Sequence, residues 1–211
     1  MSAWDAETDL LHDAAQRVSG RGEIHVWLSP ATRDEALLRR LLARYVGAPP
    51  TSIALAIGAH GKPYVEHDAL RFNLSHSAEH TAVALAHGCE IGVDIEHVRR
   101  IRRRAALLER CFTPAEQDRI GGDDLRLLRF WSAKEALVKA IGRGIAYGLR
   151  RIEVDWSEQG PRVLRLDGEA GPASRWRLAA LPELDGGLGV VAYEGEVRPI
   201  RCSRLRIGAA D

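Results

Sequence analysis

The sequence predicts an α+β fold made of two similar α/β halves. Two observations point that way. Helical and strand-like stretches follow one another along the whole chain, and one pattern, a pair of strands about a single glycine, occurs twice. The first copy is TAVALAHGCEIGVDIE (Thr81 to Glu96) and the second GVVAYEGEVRPI (Gly189 to Ile200). Each follows, at a distance, a helix, a glycine-rich break and a strand. Two unrelated hairpins would give the same pattern. No linker rich in Ser, Pro or charge intervenes, so residues 1–98 and 99–211 are expected to form one packed unit.

Glu23 to Leu28 alternates as a strand does. Ala31 to Tyr45 has helical spacing through Leu37, Leu38, Leu41 and Leu42, with Thr32 as N-cap. Gly47, Pro49 and Pro50 end it, and a strand is predicted at Ser52 to Ile57, then a turn from Gly58 to Pro63. Thr81 to His87 and Cys89 to Glu96 read as two strands folded about Gly88. Helical segments follow, beginning with an arginine-rich stretch to Arg110, and Pro114 can open the next behind a Thr113 cap. The strongest helical pattern runs from Asp124 to Ile141 and stops at Gly142 and Gly144. Arg151 to Val197 reads as strands between Gly and Pro turns.

Composition narrows the function classes. A chain of 211 residues, 45% hydrophobic and 28% charged, can bury a globular core. Its net charge of +1 gives no bulk attraction to nucleic acid or membrane, so partners must be chosen by local patches. Cys89, Cys111 and Cys202 lie far apart without a C-x-x-C pair, which suits reduced core thiols. Met1 to Leu11 is acidic and lacks an apolar run, and no stretch reaches the roughly 20 apolar residues of a membrane span. A cytoplasmic monomer is the expectation.

Four clusters carry chemistry. In a strand, Asp94 and Glu96 share a face while Ile95 points the other way. Paired carboxylates repel unless a cation sits between them, and Mg²⁺ commonly takes one or two carboxylates plus substrate phosphates. A solvated strand face would carry the same pair. In WSAKEALVKAIG, Trp131, Glu135 and Lys139 are four apart and line one stripe, with Lys134 beside it. That stripe is either a surface Glu–Lys pair or a third carboxylate with a phosphate-facing lysine. Gly61-Lys62-Pro63 presents a lysine on a rigid turn. Arg71 to Ser77 (RFNLSHS) reads as an alternating strand that ends in a polar loop, whose hydroxyls, amides and imidazole can hold an anion.

In order, GKP, FNLSHS, GVDIE and FWSAKEALVKAIGRG resemble the 4′-phosphopantetheinyl transferase superfamily, in its long, single-chain surfactin-synthetase type, over about Leu37 to Val154. The resemblance implies a pseudo-dimer with the active site in the cleft between its halves. It implies Mg²⁺-dependent transfer of phosphopantetheine from coenzyme A to a carrier-protein serine, with Mn²⁺ as a substitute ion. It assigns Asp94, Glu96 and Glu135 to the metal, Lys139 to the pyrophosphate, and Lys62, Ser75 and His76 to coenzyme A. Glu135 and Lys139 are the candidate catalytic residues, Glu135 as base. The chain is short between Trp27 and Ala31, where long members carry a basic segment; Arg39, Arg40 and Arg44 are the candidates to replace it.

The arginines Arg99, Arg100, Arg102, Arg103 and Arg104 admit two readings. They form a solvated helix partly balanced by Glu109 and Glu116, or a dock for an acidic acyl or peptidyl carrier protein. A nucleic-acid-binding module would also be basic, but no interleaved aromatics or reader motif accompany the run. A non-catalytic coenzyme A-binding relative would not need Asp94, Glu96, Glu135 and Lys139 together.

Overall fold

The structure, a computed structural model, describes residues 5–9, 22–30 and 35–206, with the side chains of 5–9, 145 and 206 excepted. Local signals set the helix ends. Helix α1 (Glu35–Val46) covers the described part of the first predicted helix; its expected start at Ala31 and the Thr32 cap lie outside the described residues. Helix α2 spans Arg104–Cys111, and α3 (Pro114–Ile120) opens on a capping box in which Thr113 and Glu116 bond each other's backbone N–H. In α4 (Asp124–Ile141) the Asp123 carboxylate accepts from the Leu125 and Arg126 amides, and Gly142 ends the helix in the left-handed region at φ 77°. Among the described residues no helix is long and apolar enough to cross a membrane.

The strands are β1 (Asp5–Asp9), β2 (Ile24–Ser29), β3 (Leu55–Ile57), β4 (Pro63–Val65), β5 (Leu70–Ser77), β6 (His80–His87) and β7 (Ile91–His97). After the helices come β8 (Ile152–Ser157), β9 (Gly160–Leu166), β10 (Trp176–Ala180), β11 (Gly187–Glu194) and β12 (Ile200–Arg206). They form a five-stranded sheet β1-β12-β2-β6-β5, a three-stranded sheet β10-β11-β7, and the pairs β3-β4 and β8-β9. The mixed α+β class agrees with the sequence reading. The strand expected from Ser52 starts only at Leu55, because Pro50–Ser52 turns as a short 3₁₀ helix.

The two expected hairpins do not form. After Gly88 (φ 68°), β6 stays paired with β5 and β2 while β7 pairs with β11 in the other sheet. After Gly195 (φ 99°), β11 likewise stays behind while β12 joins β2 and β1. Each glycine turn sends the chain from one sheet to the other. The reason is burial: both faces of β6 and most of β7 are covered, and a local hairpin would leave one face of each open.

Three cores stack in layers. Leu41 and Leu42 of α1 pack on Trp27, Phe72, Val83 and Leu85 of the large sheet. The opposite face of that sheet (Ile24, Val26, Ala84) meets Ile91, Val93 and Ile95 of β7. Beyond β7, α4 closes the third core with Leu137, Val138, Val190 and Ala192. Burying one such aliphatic side chain is worth about 1.5–3 kcal/mol. A one-residue slip of β7 would trade three of them for Asp94 and Glu96, so its register is strongly pinned. The three cysteines are free and buried.

Candidate active site

Gly92, Asp94 and Glu96 form the face of β7 turned away from the inter-sheet core, toward α4. Gly92 is required there, since a Cβ at that position would collide with the Ala136 carbonyl oxygen and the Ala140 amide nitrogen. The helix therefore lies directly on the strand, and Ser132 Oγ donates to the Asp94 carbonyl at 3.1 Å. This contact brings the Trp131–Glu135–Lys139 stripe over the two strand carboxylates.

Asp94 is 5% exposed. Its Oδ1 accepts from Lys139 Nζ at 2.8 Å and from Ser75 Oγ at 3.2 Å. Its Oδ2 is buried without a protein partner, and so is Glu135 Oε1. Glu96 is committed on both oxygens: Oε1 accepts from Trp131 Nε1 at 3.0 Å and Oε2 from Arg99 at 2.7 Å. Lys139 also donates to Ser75 Oγ at 3.0 Å and to the Val93 carbonyl at 3.1 Å.

The electrostatics follow from this crowding. Burial pushes the Asp94 carboxyl up, against the opposing pull of Lys139, and Glu96 adds to the rise. Burial, then the charge of Asp94, raises Glu135 to about 7, with Lys139 again opposing and Glu96 reinforcing. Among the described residues no three His, Cys, Asp or Glu side chains are arranged to enclose an ion by themselves. Two carboxylates with one unpartnered oxygen each do suit Mg²⁺, which completes its shell from water and phosphate.

The other candidate residues divide. Ser75 and His76 are consecutive on β5 and so face opposite ways: Ser75 is buried against Asp94, whereas His76 is exposed and its Nδ1 lies 2.7 Å from Thr81 Oγ1. On the His76 side a pocket of about 310 Å³ opens between α1 and the large sheet, walled by Leu38, Leu41, Leu74, Val83 and Leu205. Lys62 sits at the far end of α4, where its ammonium donates to Glu90 at 2.7 Å and to the Ala140 carbonyl at 2.9 Å. A cation there satisfies a carbonyl of the last helical turn. On α1, Arg39 pairs with Glu35 and donates to the Ile53 carbonyl, while Arg40 is exposed.

The arginine-rich stretch is not helical from Glu96 onward. Arg99 to Arg103 form a loop, and α2 begins only at Arg104, because Asp124 at the head of α4 binds both the Ile101 amide and Arg104. Arg100, Arg102 and Arg103 are exposed. Glu116 cannot balance them. It is fully buried, accepting from Lys134 at 2.5 Å, from the Thr113 amide at 2.8 Å and from the Val154 amide at 2.9 Å. Lys134 completes its shell on the Cys111 and Leu149 carbonyls. Sequence spacing placed Lys134 beside the stripe, but a turn of about 100° per residue sends it to the opposite side of α4 from Lys139.

The chain matches a protein of Nostoc sp., 4′-phosphopantetheinyl transferase HetI, at 31% identity over 173 residues, 78% of this chain and 70% of that protein. The chain belongs to the 4′-phosphopantetheinyl transferase superfamily. The superfamily's own profile matches residues 90–185, the interval from just before β7 into the turn after β10. A second relative, 4′-phosphopantetheinyl transferase psf-1 of Bacillus pumilus, is 33% identical over 144 residues, 65% of this chain and 60% of that protein. The L-aminoadipate-semialdehyde dehydrogenase-phosphopantetheinyl transferase of Rattus norvegicus is 30% identical over 144 residues, 60% of this chain and 47% of that one. Membership makes the chain a transferase. Within the profile's interval lie Asp94, Glu96, Glu135 and Lys139; Asn73 and Ser77, which the sequence offers only as part of an anion-holding cluster, lie outside it and accept from β7 amides instead.

Proposed function

We propose that this transferase moves 4′-phosphopantetheine from coenzyme A to a serine of an apo acyl or peptidyl carrier protein and releases 3′,5′-ADP. The observation that carries the reading is the pair of buried, unpartnered oxygens, Asp94 Oδ2 and Glu135 Oε1, beside the ammonium of Lys139. The names of the relatives support it. Asp94 and Glu135 would hold Mg²⁺ or Mn²⁺, with Glu96 joining if it releases Trp131 or Arg99. Such an ion, when bound, neutralises charge on a diphosphate.

The chain's own groups do the rest. Glu135 is the group placed to take the serine proton as the serine oxygen attacks the phosphorus that bears pantetheine. That bond forms as the bond from phosphorus to the ADP oxygen breaks, and Lys139 places fixed positive charge beside the departing oxygen. No covalent enzyme intermediate is needed. Lys62, Ser75 and His76 bind coenzyme A in this reading; for Lys62 that requires exchange of Glu90 for phosphate. The halves 1–98 and 99–211 would meet as a pseudo-dimer about the cleft, in a monomer. The exposed Arg100, Arg102 and Arg103 would receive the carrier, and free cysteines suit the cytoplasm. Incubation with Mg²⁺, coenzyme A and a panel of apo carriers, read by intact mass, tests it. The expected result is a carrier heavier by one phosphopantetheine; no mass change with any carrier would sink the reading.

A further inference from the structure

The strands β5 and β7 run side by side in the same direction, yet no backbone ladder joins them: β5 pairs with β6, and β7 with β11. Three side chains do the joining instead. Asn73 Oδ1 accepts from the Val93 amide at 2.9 Å, Ser75 Oγ from the Ile95 amide at 3.1 Å, and Ser77 Oγ from the His97 amide at 2.7 Å. Being two apart, the three point to one side of β5 and meet alternate amides of β7. Asp94 and Glu96 are the residues that fall between those anchored amides.

We propose that this row of side chains is a spacer that holds the seam open at the site, and that its outer members, Asn73 and Ser77, are positioning residues for Asp94 and Glu96. A direct ladder would draw the strands to about 4.7–4.9 Å and give the Val93 carbonyl a backbone partner. With side chains interposed, the Val93 carbonyl has no ladder partner on the β5 side. Lys139 then enters from α4 and takes that carbonyl at 3.1 Å together with Ser75 Oγ at 3.0 Å. Asn73 and Ser75 are 7% and 5% exposed, so each buried amide they serve would lose its only replacement for water if they were truncated. Strand β7 would then be free to shift relative to Lys139, and its carboxylates with it.

The inference rests on the proposed metal-assisted transfer, and the experiment separates the two. Asn73→Ala, Ser77→Ala and Ser77→Thr are made in the full chain. Three readouts follow: amide hydrogen exchange at Val93, Ile95 and His97; Mn²⁺ affinity by electron paramagnetic resonance; and kcat with KM for coenzyme A. Partners one step removed from a metal typically change affinity or activity about 10–100-fold when removed. Both alanine variants should therefore exchange these amides faster, bind Mn²⁺ more weakly and lose kcat by about 10–100-fold, with KM for coenzyme A nearly unchanged. Ser77→Thr, which keeps the hydroxyl, should restore all three. Wild-type Mn²⁺ affinity and wild-type kcat per folded molecule in the alanine variants, with only thermal stability lowered, would overturn the proposal. Should Asn73→Ala fail to fold, the partly exposed Ser77 decides alone. If the wild type binds Mn²⁺ but modifies no carrier, the proposed function fails, and the spacer is judged on Mn²⁺ affinity and exchange. A wild type that binds no Mn²⁺ overturns both.

Discussion

Lys139 Nζ lies 2.8 Å from Asp94 Oδ1, while the other oxygen of that carboxylate has no protein partner. One half of Asp94 is thus neutralised by α4 and the other half is left for a ligand. Removing the lysine strands a buried charge. Lys139→Ala should lower stability by roughly 1–3 kcal/mol and cut kcat by about 10²-fold or more. Asp94→Asn should abolish transfer with little loss of stability, since it relieves the repulsion on Glu135. Chemical denaturation and single-turnover transfer check both. A Lys139→Ala variant with unchanged kcat would place that lysine outside the reaction.

Glu135 gives a pH dependence of defined sign. Its folded value, about 7, lies above the ordinary 4.5, so the folded chain holds this proton more tightly than the unfolded chain. The associated stability is present below about 4.5 and is lost as pH rises to about 7. The metal-free thermal midpoint should fall across that window more steeply in wild type than in Glu135→Gln. Addition of Mg²⁺ should raise the midpoint more at pH 8 than at pH 5.5, because the ion competes with the proton. Calorimetry at both values of pH reads the difference.

Lys134 and Lys139 are five residues apart on one helix and should fail in different ways. Lys134 and Glu116 form an ion pair with both side chains at 0% exposure. Lys134→Met should therefore cost about 3–5 kcal/mol, because it leaves Glu116 buried and charged without its partner. The double change Lys134→Met/Glu116→Leu should recover only part of this, as the Thr113 and Val154 amides still lose their acceptor. Equilibrium urea unfolding distinguishes these outcomes.

The exposed arginines predict a salt-sensitive encounter with the carrier. Electrostatic docking is screened over about 8–10 Å at physiological salt and acts mainly on the rate of encounter. Arg102→Glu with Arg103→Glu should raise KM for the carrier and flatten its salt dependence, leaving KM for coenzyme A in place. Initial rates at several salt concentrations check it; wild-type values for both would put the dock elsewhere.

Periodicity alone determined which residues share a face. Asp94 with Glu96 on a strand, Trp131 with Glu135 and Lys139 on a helix, the Thr113 cap and the Gly142 stop were all legible, because each depends on backbone geometry within a few residues. Only the tertiary structure decided what those faces meet. The turns at Gly88 and Gly195 look like hairpins locally, yet the chain exchanges sheets at both, since covering β6 and β7 on two sides requires partners far along the sequence. Glu116 reads as one more surface acid until α3 folds it against Lys134. Ser75 and His76 read as one loop until β5 forms and turns them apart. Hydrogen bonds across twenty residues, such as Asn73 to Val93, depend on which strand edges come together, and that is set by the packing of the whole core.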